Sequence, residues 1–261
     1  MSINPYNMKE HEHELKSLLT EQQFEVSENQ EPLLETAKAY AYGYAQATEG
    51  IAVLSDFHQN ICHIYSGKFG QTALGLPNYF MDSSSAFENG IFNRILEADL
   101  LERHILELRF LHFLKNIPAE KKTEYQASCV IRFHKPNNET LQILHTTRYL
   151  YCHHNGSVLF GLCTYIPFPQ IREKEEGCIT NITTGKAIRP EQYALCDNKL
   201  LSKRQTEILS LLAKGIGSKQ IADKLNISLH TVNRHRQDIL SNLHVANTAA
   251  AVEIGLRLHL I

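Results

Sequence analysis

Between residues 218 and 243 the chain reads SKQIADKLNISLHTVNRHRQDILSNL. Two stretches with helical apolar spacing, one through Ile221, Ala222 and Leu225 and one through Val232, Ile239 and Leu243, are separated only by the turn Asn226-Ile227-Ser228. Ser228 stands where the side chain can cap the second helix. Two short helices joined so tightly, the second carrying polar side chains, make a helix-turn-helix. A preceding stretch, LSKRQTEILSLLAKG, opens on Ser202 as an N-cap and closes on Gly215 as a stop. Ile208, Leu209, Leu211 and Leu212 form its buried face.

The helix after the turn is built from His, Thr and Asn where a merely stable helix would use better formers. Helical geometry sorts its residues. Val232, Ile239 and Leu243 face the core of the module, and His230, Asn233, Arg234, Gln237 and Ser241 form the opposite stripe. Amides suit adenine and guanidinium suits guanine, so Asn233, Arg234, Gln237 and His230 are expected to contact base edges in a major groove. Lys203, Lys219, Ser228, Thr231 and Arg236 carry the hydroxyls and positive charge expected at phosphates.

The stretch LSKRQTEILSLLAKGIGSKQIADKLNISLHTVNRHRQDILSNLHVANTAAAV resembles the LuxR-type (NarL/FixJ-type) DNA-binding domain. The shared features are the opening Leu-Ser-x-Arg with Glu207, the AKG stop, the second helix KQIADKLNIS and the recognition helix TVNRHRQDIL. LHVANTAAAV matches as a fourth helix. The resemblance implies a dimer contact on that fourth helix, through Ala249 and Ala250. Asn233 stands where the family often has Lys or Arg, which moves the expected readout toward adenine. Gln205 and Gln220 stand where Glu is common.

Charge agrees with an anionic partner. From residue 199 onward nine Lys/Arg stand against four Asp/Glu, or +5, whereas residues 1–198 carry 17 against 24, or −7. The six cysteines form no CxxC pair, which argues against a thioredoxin-like motif or a ribbon-type zinc site. The polar N-terminus and the absence of a long apolar run lead to the expectation of a cytoplasmic protein without a membrane span. Cys152-His153-His154 and the His11/His13 pair lack zinc spacing, so no metal is expected. No serine nucleophile motif, P-loop or acid–base pair appears, and neither enzymatic activity nor a cofactor is expected.

The rest of the chain divides into an N-terminal helical segment (1–49), an α+β domain (50–168), a linker (169–199) and the all-α helix-turn-helix domain (200–261). In the first, Leu33, Ala37, Tyr40, Tyr44 and Ala47 make one apolar stripe, docked on the chain's own sheet or on a second copy. In the α+β domain, GIAVLSDFHQNICHIYS reads as two strands around a polar turn. NGIFNRILEADLLERHILELRFLHFLKNI reads as one long helix. Three further strands follow, the last two flanking the hairpin signal Asn155-Gly156. Ile143, His145, Thr147, Tyr149 and Tyr151 share one face by alternation.

That order of elements resembles the PAS fold, a five-stranded antiparallel sheet with helices on one face. Tyr40, Tyr44, Phe92, Tyr149 and Tyr151 line a cavity or pack a core. A phosphoreceiver is excluded by the meander of strands, and an acyl-homoserine-lactone receptor by the absence of Trp. The expected function is a sequence-specific transcription regulator, a homodimer on double-stranded DNA with RNA polymerase as a further partner. The alternative is a sensor in which an unidentified small ligand, or haem, in the PAS-like pocket gates DNA binding.

Overall fold

The computed structural model describes residues 6–25, 30–134, 139–168, 177–189, 192, 201–243, 245, 247–258 and 260–261; side chains are not described for 6–11 and 257. Two compact units emerge, one built on residues 13–189 and the other containing 190–261. His11 and Cys196 fall outside the described side chains.

The first helix is α1 (Tyr6–Thr20), whose residues from His13 onward belong to the first unit, and α2 (Gln30–Thr48) follows. Then come β1 (Ile51–Asp56), β2 (Ile61–Ser66), α3 (Lys68–Leu74), β3 (Tyr79–Asp82), α4 (Asn89–Phe92) and α5 (Glu97–Lys115). A 3-10 turn leads into β4 (Tyr125–His134), β5 (Thr140–Cys152) and β6 (Val158–Pro167), followed by β7 (Cys178–Asn181) and β8 (Lys186–Ile188). All eight strands form one antiparallel sheet in the order β3-β2-β1-β6-β5-β4-β7-β8. Its central five, β2-β1-β6-β5-β4, are the five strands expected from the sequence. The α+β, PAS-like expectation holds at this level, with three strands added.

The two faces of the sheet are filled by different helices. On one face His145, Thr147 and Tyr149 of β5 meet α5, whose Phe110 ring stacks on Tyr149 at 5.3 Å. On the other, Ala37, Ala41 and Ala45 of α2, all fully buried, lie on Ala52, Leu54 and Leu162. Helices therefore cover both faces rather than one. The expected α2 stripe is rotated as well. Alanines at a spacing of four let the backbone approach the sheet, and Tyr40 is turned out, 59% exposed. The aromatics expected to line one cavity or to pack the core are thus divided. Phe92 and Tyr149 are buried beside α5, Tyr44 and Tyr151 pack against the α2 cluster, and Tyr40 lies in solvent.

Two local departures have clear causes. The long helix expected from residue 89 breaks after Phe92. Ile95 forms an isolated bridge with Phe133, Leu96 N–H donates to Arg132 O, and His134 N–H donates to Arg94 O, so three residues bond to the sheet edge instead. The helix restarts as α5, anchored by Asp99. Its buried carboxylate accepts from the Arg132 backbone N–H at 2.7 Å and from that residue's guanidinium. Tyr151 leaves the alternation of β5 because its φ is +55°, which turns the ring toward Phe160 on the α2 face.

Within the span read as a linker, whose CITNIT stretch also reads as a short strand, residues 178–181 and 186–188 are strands. Ile179 is fully buried and β7 pairs with β4, while Asn181 Oδ1 accepts from the Thr183 and Thr184 N–H groups to turn the chain into β8.

The second unit holds α6 (Lys203–Ala213), α7 (Ser218–Leu225), α8 (Leu229–Asn242) and α9 (Thr248–Arg257). Ser202 caps α6 in a reciprocal box with Gln205, and Gly215, at φ 75°, follows its end. Asn226 takes the left-handed conformation (φ 51°) that makes the tight turn into α8. Ile208, Leu209, Ile221, Val232, Ile239, Leu243, Ala251 and Ile254 make the core.

Candidate nucleic-acid interface

The turn between α7 and α8 sets the site. Ser228 Oγ accepts from Thr231 N–H at 3.0 Å and pairs with Thr231 Oγ1 at 2.8 Å, so one cap fixes where α8 begins. Behind it, Arg204 Nη2 donates to Leu225 O at 3.0 Å while Nη1 bonds Glu207 at 2.7 Å, which ties the end of α7 to α6. α8 then runs 14 residues, about 21 Å.

Its two faces are cleanly different. Val232, Ile239 and Leu243 are at most 1% exposed. His230, Asn233, Arg234 and Gln237 are all exposed, and Ser241 is half-buried. The structure thus brings the four expected base-contacting residues onto one free face. Lys203, Lys219 and Ser228 are also exposed, with Thr231 half-buried beside its cap. Arg236 is different. It is half-buried, and its Nη1 donates to Ser218 Oγ at 2.6 Å and its Nη2 to Thr248 Oγ1 at 2.8 Å, joining the first residues of α7 and α9. On α9 Ala249 is exposed and Ala250 half-buried, its N–H taken by the Asn247 cap.

A second polar assembly, absent from the sequence reading, lies inside the first unit between α5 and the sheet. Arg103, 1% exposed, donates through Nε to His145 Nε2 at 2.6 Å and through Nη2 to Glu88 at 2.8 Å, with Glu107 at 3.1 Å. Its guanidinium also lies 4.5 Å from the centre of the Phe92 ring. Tyr165 O–H donates to Glu88, and Thr147 O–H to Glu107 at 2.7 Å. Because Arg103 can only donate, His145 Nε2 must accept, which makes the imidazole neutral. Burial first, then Arg103 and His104, hold its pKa well below the ordinary value. Burial also raises Glu107, partly offset by Arg103. Burial opposes the charge on Arg103, and Glu107, Tyr165 and Glu88 more than compensate.

The ligand atoms of Glu107, His145 and Cys163 lie within 4.8 Å of one another, a spacing a metal could use. The guanidinium already occupies the cation's place among them, and burial keeps the Cys163 thiol protonated, so the group does not fit a metal. The sequence signal was slight: Arg103 and Glu107, four apart, interrupt the apolar run of a helix buried nearly all round. Beside them is a void of about 10 Å³, room for one water, lined by Ser55, Phe57, Phe87 and Thr147 among others. Haem does not fit in it.

Comparison with known proteins agrees with the C-terminal geometry. Residues 199–254 match the model "Bacterial regulatory proteins, luxR family". The oxygen regulatory protein NreC of Staphylococcus epidermidis is 44% identical over 63 residues, which are 24% of this chain and 29% of that protein. NreC of Staphylococcus aureus matches to the same extent. The chain therefore spans less than a third of the curated relatives it matches. Among solved structures, the Vibrio cholerae VqmA dimer aligns over 85% of this chain and 86% of that one, at 13% identity and a TM-score of 0.30. Escherichia coli SdiA aligns over 97% and 98%, at 14% identity and 0.26. The C-terminal module is a luxR-family helix-turn-helix domain.

Proposed function

We propose that the chain is a sequence-specific DNA-binding transcription regulator whose α8 enters the major groove. The observation that carries this reading is the division of α8. Its apolar side closes the core of a luxR-family domain, and its opposite side presents two amide side chains, a guanidinium and an imidazole to solvent. In this reading Asn233, Arg234, Gln237 and His230 touch base edges, whereas Lys203, Lys219, Ser228, Thr231 and Arg236 position the helix on phosphates. Two copies bind paired half-sites about one helical turn apart, with Ala249 and Ala250 in the dimer contact. RNA polymerase is the partner through which such a regulator acts on transcription.

Selection of duplexes from a random library by the full chain tests this. Asn233→Ala should cost roughly 1–3 kcal/mol at one base position and relax the preference there, with the DNA-free melting temperature unchanged. An unaltered motif would refute the orientation of the helix.

A second element of the reading concerns the input domain. Among the described residues Arg103 Nη1, which is buried beside the small void, has no hydrogen-bond partner. An orphaned charged donor beside that space supports a polar guest of about the size of one water in the core, and gating of DNA binding by a small ligand is the second reading.

A further inference from the structure

Leu229 opens α8 with 46% of its surface exposed. The domain does not require it there, since Val232, Ile239 and Leu243 already supply the contact of this helix with the core. A lone exposed leucine is ordinary on a protein surface. Its neighbours make this one different. It precedes Asn233 by four residues, so the two are neighbours on the helix surface, and both are exposed. It is thus an apolar group at the edge of the row of hydrogen-bonding groups that the proposed function assigns to base edges.

The major groove offers a matching apolar group, the C5-methyl of thymine, and the N-terminal residues of a recognition helix are those that reach base edges. We infer that Leu229 is a specificity-determining residue that packs on a thymine methyl, one or two base pairs from the base read by Asn233. The spacing follows from geometry. Four helical residues rise about 6 Å and successive base pairs are about 3.4 Å apart. The inference rests on the proposed function and sharpens it, since Asn233 suits adenine and Leu229 suits thymine, which together favour an A·T-containing step.

The test uses the full chain and the duplex it selects from a random library. Each thymine of the enriched motif is replaced in turn by deoxyuridine, which differs only in lacking the methyl. One replacement should weaken binding by wild type about four-fold, the worth of one buried methyl-sized contact. Leu229→Ala should bind the thymine duplex at least about four-fold more weakly and no longer distinguish thymine from deoxyuridine at that position. Leu229→Met should retain the distinction. Because the side chain is exposed, the Ala variant should fold, and its DNA-free melt checks that. Indifference of wild type to every replacement, or an undiminished thymine preference in Leu229→Ala, would overturn the inference. Failure to enrich any motif would overturn the proposed function itself, and this inference with it, before any base is changed.

Discussion

Replacing Arg103 by Met removes the cation from the centre of the first unit while roughly keeping its volume. Glu88 and Glu107, with side chains 1% and 6% exposed, would then be buried carboxylates without a counter-charge. His145 Nε2 would lose the donor it now has at 2.6 Å. Breaking a buried ion pair from one side costs about 3–5 kcal/mol, because the charge left behind is neither solvated nor paired. For a domain of this size that is a fall in melting temperature of roughly 6–20 °C. The assay is unusually clean, since residues 200–261 contain no Phe, Tyr or Trp and near-UV circular dichroism reports aromatic packing elsewhere in the chain. The combined variant Arg103→Met, Glu88→Gln, Glu107→Gln removes the orphaned charges and should recover much of the loss. If Arg103→Met melted within about 1 kcal/mol of wild type, the network would not be the electrostatic centre argued above.

Val232→Ala should destabilise the C-terminal unit by roughly 1–3 kcal/mol through a small cavity, read as an earlier far-UV transition. His145 has a folded pKa below its ordinary 6.5, so its stabilising neutral form is fully present above about pH 6.5 and that contribution is lost as pH falls. His63, lowered first by burial and then by Lys38, acts in the same direction. Glu107, raised above 4.5, acts in the opposite direction, since its stabilising protonated form is lost as pH rises from there. His145→Gln, whose amide oxygen can still accept from Arg103, should flatten the decline below pH 6.5; denaturant melts across a pH series would detect an unaltered slope. DNA affinity should fall steeply between low and physiological salt, and Lys219→Ala should weaken all sequences about equally and shallow that slope; an affinity flat with salt would contradict phosphate contact.

What could be read from the sequence followed the range of the forces involved. Ser202, Ser228 and Asn226 act on neighbours within a few residues, and the apolar spacing of Val232, Ile239 and Leu243 is a property of one helix, so the frame of the helix-turn-helix was legible almost residue by residue. The hairpin strands β5 and β6 were legible for the same reason. The sequence was silent where a distant strand decides. The break before α5 depends on Phe133, the pairing of β7 depends on β4, and the outward turn of Tyr40 depends on the sheet that receives Ala37 and Ala41. The Arg103 network joins α5 to strands some 40 and 60 residues away, and no local pattern announces such a partner.

The position of Arg236 has an electrostatic consequence. Its guanidinium bonds to the first residues of α7 and α9, the two helix ends whose backbone N–H groups carry partial positive charge. Two hydroxyl bonds hold the cation there against both fields, at a cost of about 0.3–1 kcal/mol per helix end. The DNA-free domain therefore holds like charges together at one known spot, where a guanidinium meets two helix N-termini whose caps, Gln220 and Asn247, each take one N–H group. An anion that settles there gains from all three, two of which are rigid backbone. Part of what the domain gives up in stability while it is free is stored as attraction for a negative charge.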